Sequence, residues 1–198
     1  MTLRVVVLAS GTGSLFKSLL DARDDDYDVV ALVTDNPTAG AIAYAAAAEV
    51  EVNVVELTNF ADRAEWDEAL TAAIEEHKPD LVVSAGFMRV LGAATLETFP
   101  NRIINTHPAL LPNFPGAHAV RDALAAGAQE SGSTVHLVDA GVDTGPVIVQ
   151  EAVAIDASDD EASLHERIKI VERRLLVDVV KNIALHGMSV HDRKVTLG

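Results

Sequence analysis

Two short segments of this chain carry side chains suited to acid–base chemistry. Asn105 and His107 lie in Asn-Thr-His-Pro-Ala-Leu-Leu-Pro (105–112), and Asp143 lies in a glycine-rich turn (139–146). A carboxamide, an imidazole and a carboxylate together can stabilise an oxyanion and move a proton. Because residues two apart on an extended chain project to the same side, Asn105 and His107 are expected to face a common space.

The Asn-Thr-His segment also coincides with the end of a predicted strand. Ile103 and Ile104 indicate a buried strand, and Pro108 cannot continue a strand ladder because it has no N–H group. The pair is therefore predicted at a strand-to-loop junction, where open α/β sheets bind ligands.

The composition fits a single domain (1–198) with neither nucleic acid nor membrane as a partner. Hydrophobic residues make up 49% of the 198 residues, enough for a sizeable core, and there is no cysteine for a disulfide or a thiolate. The net charge of −15 disfavours nucleic-acid backbones and anionic membranes. Because no signal peptide or long apolar run is present, we expect a cytoplasmic protein, either a monomer or a homodimer.

Apolar runs alternate with helical patterns through the first half of the chain (1–100). The predicted strands are 3–9, 29–33, 52–57 and 81–83. The predicted helices are one that contains Leu15, Leu19 and Leu20, and those at 41–49 and 62–77. This alternation is typical of a parallel sheet with helices on both faces.

The pattern changes in the second half of the chain (101–198). It predicts a strand at 103–106, a helix at 117–126, two half-exposed strands at 133–138 and 147–155, and a terminal hairpin at 190–197. Ser158–Glu161 has the spacing of a capping box and is expected to open a long helix before the terminal hairpin. We therefore predict an α/β fold with a Rossmann-like open, mostly parallel twisted sheet, helices on both faces and an antiparallel edge hairpin.

The segment Ser10-Gly-Thr-Gly-Ser14 joins the first predicted strand to the first predicted helix. Glycines and the N–H groups at a helix start allow a phosphate to approach closely. Phe16 stands where the dinucleotide fingerprint has its third glycine, and no P-loop lysine follows. A monophosphate site, a dinucleotide site and a plain tight turn are all compatible with this segment.

Taken one at a time, the other candidate residues also have plain structural interpretations. His107 can bond a loop carbonyl, Asp143 is common in turns of this type, and Gly86 after the fourth strand can serve a turn as well as a ligand. His118 and His136 could join His107 in a metal cluster, but their spacing matches no common ligand pattern. The residues alone leave these alternatives open.

Five segments together make the chain resemble the phosphoribosylglycinamide formyltransferase family over nearly its whole length. They are Ser10–Ser14, Ala85–Arg89, Asn105–Pro112, Phe114–Gly116 and Leu137–Ile148. The resemblance implies transfer of the formyl group of 10-formyltetrahydrofolate to the amine of glycinamide ribonucleotide in de novo purine biosynthesis. Both substrates are small molecules, and the chemistry implied requires no metal.

The resemblance also implies which residues carry the reaction. Asn105 and His107 would stabilise the oxyanion of a tetrahedral intermediate formed by direct attack, and Asp143 would tune the proton relay. Chemistry of this kind depends on the orientation of two large substrates more than on a strong nucleophile.

Binding residues follow from the resemblance in the same way. Those expected to bind glycinamide ribonucleotide are Gly11, Thr12, Gly13, Ser14, Leu15 and Glu172, with the phosphate at the loop and the ribose at Glu172. Those expected to bind the folate are Arg63, Met88, Arg89, Val90, Leu91, Asn105, Asp139 and Asp143. The first half (1–100) would then bind the nucleotide phosphate, and the second (101–198) would hold the catalytic and folate-binding groups.

Two other functions are compatible with these residues. A formyltetrahydrofolate hydrolase would use water in place of the amine. Relatives of that kind usually carry an extra amino-terminal regulatory domain, whereas this chain begins at its first predicted strand. A non-catalytic nucleotide-binding module is the second alternative, and the presence of Asn105, His107 and Asp143 together argues against it.

Overall fold

The computed structural model describes residues 2–198, which fall into two compact units. The amino-terminal unit ends at Asn105, and the carboxy-terminal unit comprises Thr106–Gly198. The first unit alternates strands with helices, whereas the second is built on an antiparallel strand pair and one long helix.

Parallel strands make up the core of the amino-terminal unit. They are β1 (Leu3–Leu8), β2 (Tyr27–Thr34), β3 (Glu51–Val54), β4 (Leu81–Ser84) and β5 (Ile103–His107), the last of which crosses the unit boundary. β1 pairs with β2 on one side and with β4 on the other, while β3 pairs with β2 and β5 with β4. β4 is buried throughout, as its continuous apolar run predicts for a parallel strand.

The helices of this unit follow the predicted alternation, with one addition. They are α1 (Ser14–Ala22), α2 (Ala41–Ala47), α3 (Arg63–Glu75) and α4 (Ala93–Thr98). α3 begins after Asp62, whose carboxylate accepts the N–H groups of Ala64 and Glu65. The sequence pattern does not predict α4, because this short helix buries a threonine, Thr95, rather than an apolar stripe. The third strand is shorter than predicted, since Leu57–Asn59 form a short 3-10 helix.

The carboxy-terminal unit contains α5 (Ala119–Ala125) followed by the strands β6 (Glu130–Leu137) and β7 (Val147–Ala154). The two strands pair in antiparallel fashion, as predicted for the hairpin. The prediction that β6 is half-exposed is wrong, because seven of its eight residues are buried. β6 lies between two other strands and under the long helix that follows, so its polar residues are enclosed as well.

That long helix, α6 (Glu161–His186), is capped two residues later than predicted. The proposed capping box at Ser158–Glu161 is wrong. Asp160 accepts the Ser163 N–H over 2.8 Å, and the Ser163 hydroxyl accepts the Asp160 N–H over 3.0 Å. The chain ends in the predicted terminal hairpin, formed by the antiparallel strands β8 (Met188–His191) and β9 (Lys194–Leu197).

The strand order confirms the predicted fold class. Seven strands are ordered β3-β2-β1-β4-β5-β6-β7, parallel from β3 to β5 and with the antiparallel β6–β7 pair at one edge. Helices alternate with the parallel strands, which is the arrangement of an open Rossmann-like sheet. Within residues 2–198, no helix is long and apolar enough to cross a membrane.

Candidate active site

The carboxyl ends of β1 and β4 form the topological switch point of the amino-terminal unit. The chain passes from β1 to its neighbour β2, whereas β4 lies on the other side of β1, so the strand order reverses here. Open α/β sheets bind ligands at this point. In the loop after β1, the Ser10 N–H donates to the carbonyl of Gly86, in the loop after β4, over 3.2 Å.

The glycines between β1 and α1 have different structural roles. Gly13 is the N-cap residue of α1 and has a φ of 76°. A Cβ built there would lie 2.6 Å from the Cα of Ala41, so both the backbone conformation and the packing require glycine. A Cβ at Gly11 would meet nothing within 4 Å. Since the N-cap has no side chain, none competes with an anion for the first N–H groups of α1.

The segment Met88–Leu91, after β4, is held through its backbone. The Met88 N–H donates to the Ser10 hydroxyl over 2.9 Å, and the Arg63 guanidinium donates to the Val90 carbonyl. The side chains of Met88 and Val90 are nevertheless 68% and 53% exposed. A fixed backbone beside exposed apolar side chains suits a flat, partly apolar ligand.

Arg89, expected in the folate set, makes a contact inside its own unit. Its Nε donates to Asp35 Oδ2 over 2.7 Å, and Asp35 Oδ1 accepts the Ser10 hydroxyl over 2.5 Å. The Arg89 side chain therefore ties its segment to the loops that follow β1 and β2.

Asn105 and His107 lie where the sequence places them on β5. The strand ends at His107, directly before Pro108, and Asn105 is partly buried. Their spacing of two along an extended strand projects both side chains to one side.

In the carboxy-terminal unit, Asp143 lies between two imidazoles. Its Oδ2 is 3.3 Å from His107 Nδ1, and its Oδ1 is 3.6 Å from His136 Nε2. The Gly116 N–H also donates to Oδ2, over 2.8 Å. The side chains of Asp143, His107 and His136 are 12%, 5% and 3% exposed, so all three groups interact with little screening by solvent.

Backbone carbonyls determine where the two imidazoles carry protons. His107 Nε2 lies 2.7 Å from the Phe114 carbonyl oxygen, and His136 Nδ1 lies 2.8 Å from that of Leu137. Because a carbonyl oxygen only accepts, each of these nitrogens donates a proton. The other nitrogen of each ring faces Asp143, so protonation of either ring places an N–H against the carboxylate.

The pKa of Asp143 is lowered by these neighbours. Burial opposes ionisation and raises the pKa, but the His136 side chain, the Gly116 N–H and the charge of His107 outweigh burial and bring the pKa below its usual value. Asp143 is therefore a carboxylate at neutral pH, able to accept hydrogen bonds from the neighbouring imidazoles. Its φ of 55° is unusual for a residue with a side chain.

The turn that carries Asp143 is braced from two sides. Asp139 Oδ1 accepts the Thr144 hydroxyl over 2.6 Å and the Gly141 N–H over 3.1 Å. Arg193, in the turn of the terminal hairpin, donates to the Thr144 carbonyl over 2.6 Å and lies 3.3 Å from Asp139 Oδ2. A cavity of about 340 Å³ adjoins the turn and is lined by Leu111, Pro112, Pro115, Val142, Asp143, Thr144, Gly145 and Val147.

Glu172, expected at the ribose, is almost fully buried on α6. Burial raises its pKa to about 7, and the nearby Thr106 hydroxyl and the charges of Lys169 and Arg173 oppose the rise only in part. This carboxyl therefore changes charge near neutral pH, in contrast with Asp143.

Sequence reasoning considered His136 beside His107 only for a metal cluster and did not place it with Asp143. The half-exposed interpretation of β6 did not indicate that this histidine is buried. His118, the other histidine considered for a metal cluster, lies at the start of α5. In the part of the chain that the structure describes, residues 2–198, no three His, Cys, Asp or Glu side chains are grouped to hold a metal ion.

Comparison with known proteins decides the family. The family described as Formyl transferase matches residues 3–180. The chain belongs to the formyl transferase family. This confirms the resemblance drawn from the five motifs, and the matched span includes every residue expected at the site.

Individual formyl transferase relatives cover nearly the whole chain. A phosphoribosylglycinamide formyltransferase of Mycobacterium tuberculosis is 56% identical over 197 residues, which span 98% of this chain and 91% of the relative. Another protein of that name, from Bacillus subtilis, is 36% identical over 183 residues, which span 91% of this chain and 94% of the relative.

Solved structures agree with the fold. Glycinamide ribonucleotide transformylase 1 from Symbiobacterium toebii has a TM-score of 0.95 and 35% identity, covering 99% of this chain and 94% of that one. A formyltetrahydrofolate deformylase from Pseudomonas syringae has a TM-score of 0.91 at 23% identity, covering 100% of this chain and 66% of that one. At that identity the second likeness shows the fold alone.

Proposed function

We propose that this formyl transferase moves the formyl group of 10-formyltetrahydrofolate to the amine of glycinamide ribonucleotide, a step of de novo purine biosynthesis. The observation that carries the proposal is the contact between His107 Nδ1 and Asp143 Oδ2, at 3.3 Å, in a chain of this family. The activity in the names of the relatives supports the choice of substrates. That the protein is cytoplasmic, and that it is a monomer or a homodimer, remain predictions.

In the proposed reaction, the amine nitrogen of the ribonucleotide forms a bond to the formyl carbon, and the carbonyl oxygen becomes an oxyanion. Collapse of this intermediate breaks the bond between that carbon and N10 of the folate. The amine loses a proton and N10 gains one, so the reaction needs a proton relay and no net proton. His107 and the carboxylate of Asp143 are the groups proposed for the relay.

Stabilisation of the oxyanion is assigned to Asn105 and His107, which project to the same side of β5. Nδ1 of His107 faces Asp143, so Nε2–H is the nitrogen proposed to reach the oxyanion. This N–H donates to the Phe114 carbonyl in the structure. An oxyanion is the stronger acceptor, because hydrogen bonds to charged groups are stronger than those to neutral carbonyls.

The two substrates are assigned to the segments expected from the sequence. The phosphate of the ribonucleotide is proposed to bind at 11–15, where open space at Gly11 and an uncapped helix start favour an anion. Glu172 is assigned to the ribose. The folate is assigned to 88–91, with Arg63 bonded to that segment, and to the braced turn that holds Asp139 and Asp143.

The proposal is tested by following the absorbance of tetrahydrofolate formation with and without glycinamide ribonucleotide. Turnover that depends on the amine supports the transferase. Turnover without the amine would identify a hydrolase, and no turnover under either condition would favour a non-catalytic binding module.

The phosphate assignment has its own test in the two glycines. Gly11→Val places a side chain in open space, so the protein should fold while the KM for the ribonucleotide rises about tenfold or more and that for the folate changes little. Gly13→Ala is the contrasting variant, since it must lose stability through strain and contact with Ala41. An unchanged ribonucleotide KM in folded Gly11→Val would contradict a phosphate at this loop.

A further inference from the structure

A polar network centred on a buried carboxylate joins the loops at the switch point of the amino-terminal unit. Asp35, directly after β2, accepts the Ser10 hydroxyl on Oδ1 and the Arg89 Nε on Oδ2. Its side chain is only 4% exposed. A buried carboxylate is costly unless its oxygens are satisfied, so the geometry of its partners is strongly specified.

Ser10 places each of its polar groups in this network. The Ser10 N–H donates to the Gly86 carbonyl, and the Ser10 carbonyl accepts the Asn36 side-chain amide over 3.0 Å. The Ser10 hydroxyl donates to Asp35 and accepts the Met88 N–H. One side chain therefore connects the loops that follow β1, β2 and β4. Displacement of any one of these loops breaks hydrogen bonds to the other two.

Side-chain packing accounts for only part of the position of the folate-assigned segment, because Leu91 is its only buried residue. Met88 and Val90 are exposed, so their packing contributes little to holding the backbone. The hydrogen bonds that hold the rest of it are the Met88 N–H on Ser10, the Arg89 guanidinium on Asp35 and the Arg63 guanidinium on the Val90 carbonyl.

We propose that Ser10, Asp35 and Arg89 are positioning residues that hold the phosphate-assigned loop (11–15) and the folate-assigned segment (88–91) in one fixed arrangement. The inference rests on the proposed function for the identity of the two ligands. Arg89 acts through Asp35, and Ser10 acts on both segments because it directly precedes the first and binds the backbone of the second.

The kinetic test compares Ser10→Ala, Asp35→Asn and Arg89→Met with the wild type. Ser10→Ala and Asp35→Asn should raise KM for both substrates by about 10- to 100-fold with a smaller change in kcat, since misplaced binding groups weaken orientation. Arg89→Met should raise the folate KM alone. Arg89→Lys keeps the positive charge on a shorter side chain, so its folate KM should lie between those of the wild type and Arg89→Met.

Tyr27→Phe is the matched control. It removes a buried hydrogen bond of 2.6 Å, from the Tyr27 hydroxyl to the Leu19 carbonyl, at the opposite end of β2 from Asp35. It should lower the melting temperature by an amount similar to Ser10→Ala while leaving both KM values unchanged. KM shifts as large in Tyr27→Phe would show that the effects report stability, and would overturn the positioning role.

A second readout needs no substrate. In Ser10→Ala, amide hydrogen exchange at Met88 and its neighbours in 88–91 should become at least tenfold faster than in the wild type, with no such change in Tyr27→Phe. Unchanged exchange there would overturn the inference. Wild-type turnover with unchanged KM in all three variants would also overturn it while leaving the proposed function intact. Absence of wild-type turnover would contradict the proposed function, and hydrogen exchange would still decide whether the network holds the loops.

Discussion

Asp35 in the amino-terminal unit and Asp143 in the carboxy-terminal unit are both carboxylates with little exposure and two side-chain partners, but the partners differ in kind. Asp35 contacts Arg89, which is always charged, and the neutral hydroxyl of Ser10. Asp143 contacts the imidazoles of His107 and His136, whose ring nitrogens can donate or accept a proton. A carboxylate between fixed partners can only hold them in place, whereas one between imidazoles can take part in proton transfer.

The backbone that carries the two carboxylates also differs, since one follows a strand and the other lies in a turn. Asp35 directly follows a strand, and its side chain is the more buried of the two. Asp143 has a φ of 55° in an exposed turn that is braced by Asp139 and Arg193. The positioning group thus lies at the carboxyl end of an inner strand, while the group assigned to proton transfer lies on a loop that neighbouring side chains must hold.

The largest effect is expected for Asp143→Asn, which keeps the shape of the side chain and removes the charge between the imidazoles. Turnover should fall by about 10²–10⁴, the range for general acid–base groups, with the fold intact. Steady-state kinetics measures the turnover, and circular dichroism checks that the fold is intact. If Asp35→Asn lowered kcat as much as Asp143→Asn does, the distinction between the two carboxylates would be lost.

Asn105→Ala tests a group that cannot titrate. Loss of an oxyanion donor should lower kcat by about 10²–10³. The shape of the pH–rate profile should stay that of the wild type, because the carboxamide exchanges no proton. A folded Asn105→Ala enzyme with near-wild-type kcat would remove this residue from the site.

His136→Gln should have a smaller effect, about tenfold on kcat/KM, because it removes a neighbouring imidazole of Asp143 rather than the carboxylate itself. With the His136 interaction gone, burial is less opposed and the pKa of Asp143 should rise. Activity would then be lost at a higher pH on the acidic side of the profile. An acidic limb identical to that of the wild type would show that His136 does not tune Asp143.

Glu172 provides a third carboxyl, one in which burial prevails over the opposing interactions. Its folded-state pKa of about 7 lies above the ordinary value of 4.5, so the folded state binds the proton more tightly than the unfolded chain. Stability from this group is present below pH 4.5 and is lost as pH rises toward 7. Denaturant unfolding of wild type and Glu172→Gln should show the variant gaining stability relative to the wild type across that window. Parallel pH–stability curves would contradict the raised pKa.

The smallest effect is expected for Arg193→Ala, since exposed ion pairs contribute only about 0–1 kcal/mol. Loss of its contacts with Asp139 and Thr144 should loosen the Asp143 turn and lower kcat/KM by about two- to fivefold. Lys194→Ala, the neighbouring exposed cation, is the control and should leave kinetics unchanged. Equal effects of the two variants would indicate a general loss of surface charge.

The sequence predicted most elements because their patterns are local. Apolar runs marked β1, β2 and β4, and the Asn-Thr-His-Pro motif placed the end of β5 correctly, since proline cannot continue a ladder. The same local reasoning failed for α4, which buries a threonine, and for the cap of α6, where several acidic residues compete for one N-cap position.

By itself, the amino-acid sequence determined the family, the fold class and the strand-to-loop positions of Asn105 and His107, because these follow from short-range patterns and motif spacing. Only the tertiary structure decided that Asp143 has a second imidazole partner in His136, and that Ser10, Asp35 and Arg89 form one network. Alternation along β6 shows that its residues face two sides, but whether either side is exposed depends on the neighbouring strands and on α6. Contacts between residues far apart in the chain are set by that packing, which no local pattern specifies.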